Sequence, residues 1–95
     1  MNQTSETLPK LDFTTFILSV SSAAFMGLGY PTGSEHSEGE VDLELAKQNI
    51  DLLELLWIKT QGNRTAEEDR LLQQLLFEVR LRFVEVQKAQ KSKRI

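Results

Sequence analysis

The residues best equipped for chemistry fall into three groups. His36, the sole histidine, stands among Glu35, Glu38, Glu40 and Asp42, a mix of imidazole and carboxylate donors that suggests a divalent cation. A zinc site needs three or four donors converging on a rigid frame, whereas this run offers one imidazole and scattered carboxylates among Gly and Ser. The spacing of a calcium loop is also missing. A solvated loop with no metal is the expectation. Ser19, Ser21 and Ser22 carry hydroxyls, but no histidine lies at helical spacing to activate them, and Glu67 and Glu68 read more simply as carboxylates at a helix start. No glycine-rich phosphate loop follows a strand signal. The sequence therefore predicts no enzyme, no cofactor and no small-molecule substrate.

Lys88, Lys91, Lys93 and Arg94 form the third group, with Arg80 and Arg82 one to three turns earlier. Such a cluster suits nucleic acid or an anionic membrane, with affinity falling steeply with salt. Cations in a last helical turn also complement the helix dipole without any partner. The whole chain carries eleven Lys and Arg against fourteen Asp and Glu, a net charge of -3 that provides no general attraction for polyanions. Neither nucleic acid nor membrane is expected as a partner, and weak nucleic-acid binding by this basic end is kept as an alternative.

These groups hang on a chain of 95 residues, 40% hydrophobic and 26% charged, which are proportions of one folded domain. A domain of this size buries roughly 60 to 65% of its unfolded surface, so its core is thin. The absence of cysteine excludes disulfides and thiolate metal sites and fits a reducing compartment. Phe13 to Val20 followed by Ser21-Ser22-Ala23 mimics a secretion signal, but Glu6 and Asp12 outnumber Lys10 where such a signal is basic. A cytoplasmic protein is expected.

Hydrophobic spacing predicts an all-α fold of three helices. Residues 1–11 read as a loose arm. Asp12 caps helix one, which runs from Phe13 to about Leu28 and stops at Gly27, Gly29 and Pro31. Residues 29–40 read as a mobile loop. Asp42 caps helix two, Leu43 to about Gln61, which places Leu43, Ala46, Ile50, Leu53 and Trp57 on one line and ends at a left-handed Gly62 in the C′ position. The short Gly62-Asn63-Arg64 link implies an antiparallel helical hairpin. Thr65 and Glu68 have capping-box spacing before helix three, whose core line is Leu72, Leu76, Val79, Phe83 and Val86. Glu78 and Arg82 are placed to pair at i, i+4. The helical domain is assigned to 12–87, and the basic tail 88–95 is expected to fray.

Three blocks resemble a small bacterial family known only as domain of unknown function 1844: DFTTFILSV at Asp12–Val20, VDLELAKQNIDLL at Val41–Leu53, and KTQGNRT at Lys59–Thr65 ahead of a leucine-rich helix. The resemblance spans about three quarters of the chain and implies a soluble helical bacterial protein, with no activity, cofactor or catalytic residue to carry over. Trp57 and Arg64 depart from the residue types the resemblance implies.

Helix one poses the functional question, because Phe13 to Leu28 contains no charged residue. From Phe16 to Leu28 it is about 20 Å long, short of a bilayer core of about 30 Å, so it is not expected to cross a membrane. A three-helix arrangement leaves each member an outer face, and this one has nothing ionic to show to water. The sequence therefore predicts a homodimer through Phe16, Ile17, Val20, Ala23, Ala24 and Phe25, with the fold completed by dimerisation. Two alternatives stay open: a membrane-surface protein inserting helix one, and a helical adaptor whose groove accepts a partner helix.

Overall fold

The computed structural model describes residues 10–30 and 40–93, with backbone alone for residue 93. It contains three helices: α1 Phe13–Gly27, α2 Leu43–Lys59 and α3 Ala66–Lys93. Expectations about the N-terminal arm, His36 with Glu35 and Glu38, Pro31 and Arg94 lie outside these residues.

Each helix begins where a side chain is available for its free amides. The Asp12 carboxylate accepts from the Thr15 N–H at 2.8 Å, and that of Asp42 from the Leu45 N–H at 3.1 Å. Thr65 and Glu68 complete a reciprocal capping box: the Glu68 N–H donates to Thr65 Oγ1 at 3.1 Å, and the Thr65 N–H donates to Glu68 Oε1 at 2.8 Å. Helix α1 ends in a Schellman turn. Gly29, at φ 90°, donates to the Met26 carbonyl, Tyr30 donates to that of Phe25, and the Tyr30 ring sits edge-on to Phe25 with centroids 5.6 Å apart.

Two boundaries differ from expectation. Gly62 is left-handed at φ 83°, but Thr60 is the cap of α2, so the glycine falls one residue beyond C′. The end of α3 is helical through Lys93 instead of fraying after Gln87. The stretch EVQKAQKSK holds no Gly or Pro and consists largely of good helix formers, and its lysines complement the negative end of the dipole. Arg82 also chooses a different partner, Glu85 at 3.2 Å instead of Glu78. On an exposed helix face the i+3 and i+4 options differ by a few tenths of a kcal/mol, so spacing alone does not select between them.

The core draws on all three helices: Ile17, Val20 and Ala24 from α1, Ile50 and Leu53 from α2, and Leu72, Leu76 and Val79 from α3. Phe13, Phe16, Phe25 and Phe83 pack half-buried around it. The start of α2 lies beside the end of α3, since Val41 and Leu43 share a surface hollow with Gln87, Gln90 and Lys91, and Arg80 reaches Glu54 at 3.0 Å. The body measures 57 × 33 × 17 Å, a slab with little depth for a second layer of side chains.

Helices α1 and α2 approach closely where α1 ends. The Asp42 N–H donates to the Gly27 carbonyl at 2.7 Å, and a Cβ built on Gly27 would lie 2.6 Å from the Ala46 nitrogen and 2.9 Å from the Asp42 oxygen. Those obstacles are backbone atoms, which cannot swing aside. Gly27→Val is accordingly expected to lower the unfolding free energy by about 1–3 kcal/mol, the usual cost of overpacking, measured by urea titration. Gly62→Ala, whose Cβ meets no atom within 4 Å, carries only the left-handed backbone penalty and serves as the comparison.

Asp12 adds a pH signature. The Thr15 N–H donating to its carboxylate holds the group below its ordinary value of 3.8. Because the folded pKa lies under the unfolded one, the cap's ionic contribution is fully present above about pH 5 and is lost as pH falls through the folded value. Asp12→Asn keeps an acceptor oxygen for Thr15 and removes the titration. The stability advantage of the wild type over this variant should therefore shrink between about pH 4 and pH 2 in thermal melts; an unchanged difference would count against the cap.

Candidate functional site

The predicted interface residues do not share one fate. Ile17 and Ala24 are 0% exposed and Val20 6%, all facing the chain's own core, while Phe16, Ala23 and Phe25 are half-buried. Ile17, Val20 and Ala24, expected at an interface with a second copy, instead lie on the side of α1 that the chain's own α2 and α3 cover. Gly27 and Ala24 explain why: small residues on α1 let α2 come close and cover this side, so their size already has a use inside one chain.

What remains bare is the opposite side. Leu18 is 44% exposed and Met26 48%, with Thr15, Ser19 and Ser22 exposed around them. This face holds no charge from Phe13 to Gly29. Part of its polarity is already satisfied, because the Ser19 hydroxyl donates back to the Thr15 carbonyl at 3.1 Å.

A second surface was not legible as such in the sequence. On α3, Phe77, Leu81 and Val84 are exposed at 69%, 42% and 45% and line an open groove of about 650 Å³ with Trp57, Leu76 and Arg80. Their i, i+4, i+7 spacing was the available signal, a second apolar row turned away from the Leu72–Leu76–Val79 line.

Among the described residues, the groups singled out for chemistry do not assemble. Ser21 is buried, Ser19 and Ser22 are exposed, Glu68 is engaged in the capping box, and Lys88 and Lys91 stand exposed on α3. Among the described residues no three His, Cys, Asp or Glu side chains converge as ligands would. Among the same residues no helix is long and apolar enough to cross a membrane.

The most highly built polar feature is Arg64, in the link between α2 and α3. Its side chain is 7% exposed. Its guanidinium carbon sits 3.9 Å from the centroid of the Trp57 ring. Nη1 donates to the Trp57 carbonyl at 2.8 Å and to Thr60 Oγ1 at 2.9 Å, while Nε and Nη2 grip Asp69 Oδ1 at 2.9 and 2.8 Å. One side chain therefore closes the carboxyl end of α2, where carbonyls lack amides, and ties it to the first turn of α3. Trp57 and Arg64 are thus each other's partners across the link. Lysine cannot reproduce this fork or its stacking, so Arg64→Lys should cost about 1–2 kcal/mol of stability and Arg64→Ala about 2–3 kcal/mol. A double-mutant cycle with Trp57→Leu should report a coupling of about 1 kcal/mol; additivity would dismiss the stack as incidental.

No curated protein and no solved structure matches the chain. The family model described as a domain of unknown function, DUF1844, matches residues 10–85. This span contains α1, α2, the Arg64 link and most of α3, and the chain belongs to the DUF1844 family.

Proposed function

We propose that this chain is a non-enzymatic cytoplasmic interaction module of bacterial origin whose first partner is a second copy of itself. One observation carries the reading: after the chain has folded on itself, the outer face of α1 is still without charge, with Leu18 and Met26 about half exposed. Surface helices of single-chain proteins ordinarily show water a charged face. The thinness of the slab supports the same reading, since a second layer supplies burial that 95 residues lack. The non-enzymatic part rests on the sequence, where no nucleophile stands beside a base.

A second reading is favoured by a specific feature, the groove beside Phe77. An amphipathic helix from another protein fits such a trough, with the chain acting as an adaptor. Size exclusion with light scattering separates the two. Under the first reading the mass is that of a dimer at micromolar protein and falls toward one chain only on strong dilution. A single-chain mass persisting up to hundreds of micromolar rejects self-association and leaves the groove as the working surface.

A further inference from the structure

We infer that two copies of this chain pair through the outer face of α1, antiparallel, about a two-fold axis level with residue 20. The inference rests on the self-association reading and adds the surface and the register. Along that face the helical residues at i, i+3, i+7, i+10 spacing are Thr15, Leu18, Ser22 and Phe25, small and large in alternation. Thr15, Leu18 and Ser22 are exposed, and Phe25 is half-buried.

Reversing the stripe about residue 20 puts every large side chain against a small one. Leu18 meets Ser22 of the second copy and Phe25 meets Thr15, each contact occurring twice. Such knob-against-gap complementarity is what close helix packing requires. A parallel pair in register sets Leu18 on Leu18 and Ser22 on Ser22, leaving clashes and gaps in turn.

Charge selects the same orientation. At the amino end of the stripe, Lys10 and Asp12 are both exposed and carry opposite charges. At its carboxyl end, Met26 shares a hollow with Glu40 and Asp42, held there by the 2.7 Å bond from the Asp42 N–H to the Gly27 carbonyl, and Glu44 is exposed on the next turn. Antiparallel pairing sets the acidic carboxyl end of each copy beside an amino end where Lys10 balances Asp12, and opposes the two helix dipoles favourably. Parallel pairing sets acidic end beside acidic end. The polar atoms being covered are hydroxyls, and that of Ser19 is already bonded to the Thr15 carbonyl, so covering this face leaves no buried charge.

The absence of cysteine permits a direct test on the full chain. Leu18→Cys and Ser22→Cys proteins are mixed in equal amounts and oxidised mildly, and the products are resolved by mass. In the antiparallel register the Leu18→Cys and Ser22→Cys positions face each other, whereas two Leu18→Cys positions are offset by about 6 Å along the axis, which with the lateral spacing exceeds disulfide reach. The mixed disulfide should exceed either self-linked product at least fivefold. A statistical mixture, or an excess of self-linked products, overturns the register. Leu18→Glu, at a site exposed in the single chain, should retain its helical circular dichroism and raise the dimer dissociation constant at least tenfold. If wild type is dimeric by light scattering and Leu18→Glu dimerises equally well, the surface is wrong while self-association stands. If wild type is a single chain at hundreds of micromolar, the underlying reading fails with it.

Discussion

The contact at Gly27 governs much of the rest of the molecule. A glycine at the end of α1 lets the backbone of α2 come within bonding distance, and the Asp42 N–H closes on the Gly27 carbonyl at 2.7 Å. Once that distance is set, the rotation of α1 about its own axis is set too. Ile17, Val20 and Ala24 must turn toward Ile50 and Leu53, and Leu18, Ser22 and Met26 must turn away. A single missing Cβ thus decides which half of an uncharged helix becomes core and which becomes surface. The same bond carries Glu40 and Asp42 to the carboxyl end of α1, so it shapes the charge around that surface as well.

At the other end of α2 a different device is in charge. The turn that closes α1 is made by backbone atoms, with Gly29 left-handed and Tyr30 packed on Phe25. After Thr60 the chain instead uses a side chain. Gly62 comes too late to supply the same closing amide, and the Trp57 carbonyl takes its hydrogen bond from Arg64. A guanidinium suits this because it serves several acceptors in one plane and still offers a face to an aromatic ring. Its burial is tolerable because Asp69 supplies a counter-charge and, being partly exposed, keeps that charge solvated. The link is therefore held by chemistry on both sides of it, which fits its role of joining two helices of unequal length.

Much of this was readable from spacing. Helix starts at Asp12, Asp42 and Thr65 follow from side chains that accept hydrogen bonds near free amides, a local matter that a sequence displays openly. The core lines of α2 and α3 follow from periodicity for the same reason. What spacing did not reveal depends on contacts distant in sequence. Gly27 reads as a helix stop and Ala24 as part of an interface with a second copy, and only the approach of Ala46 to Gly27 shows that α2 takes this side of α1. Trp57 and Arg64 read as separate oddities seven positions apart, and only the bend of the link stacks them. Phe77, Leu81 and Val84 form a shorter second row, and nothing in one helix says whether a second row is covered by a neighbour. Arg82 had two carboxylates in reach and took the one that spacing favoured less.

The bare apolar surfaces on α1 and α3 differ in a way that bears on what each suits. The α3 row is made of large side chains only, and the groove beside it is bounded by Arg80, itself engaged with Glu54. A surface of large side chains facing itself presents knobs to knobs, so it favours a partner with a different pattern. The α1 face alternates large with small and is its own complement under a two-fold rotation. It also lacks any charge that would be stranded on burial, whereas α3 carries Glu78 and the Arg82–Glu85 pair beside its row. On the proposed reading, shape and charge together assign self-recognition to α1 and leave the α3 groove for a chain of another kind.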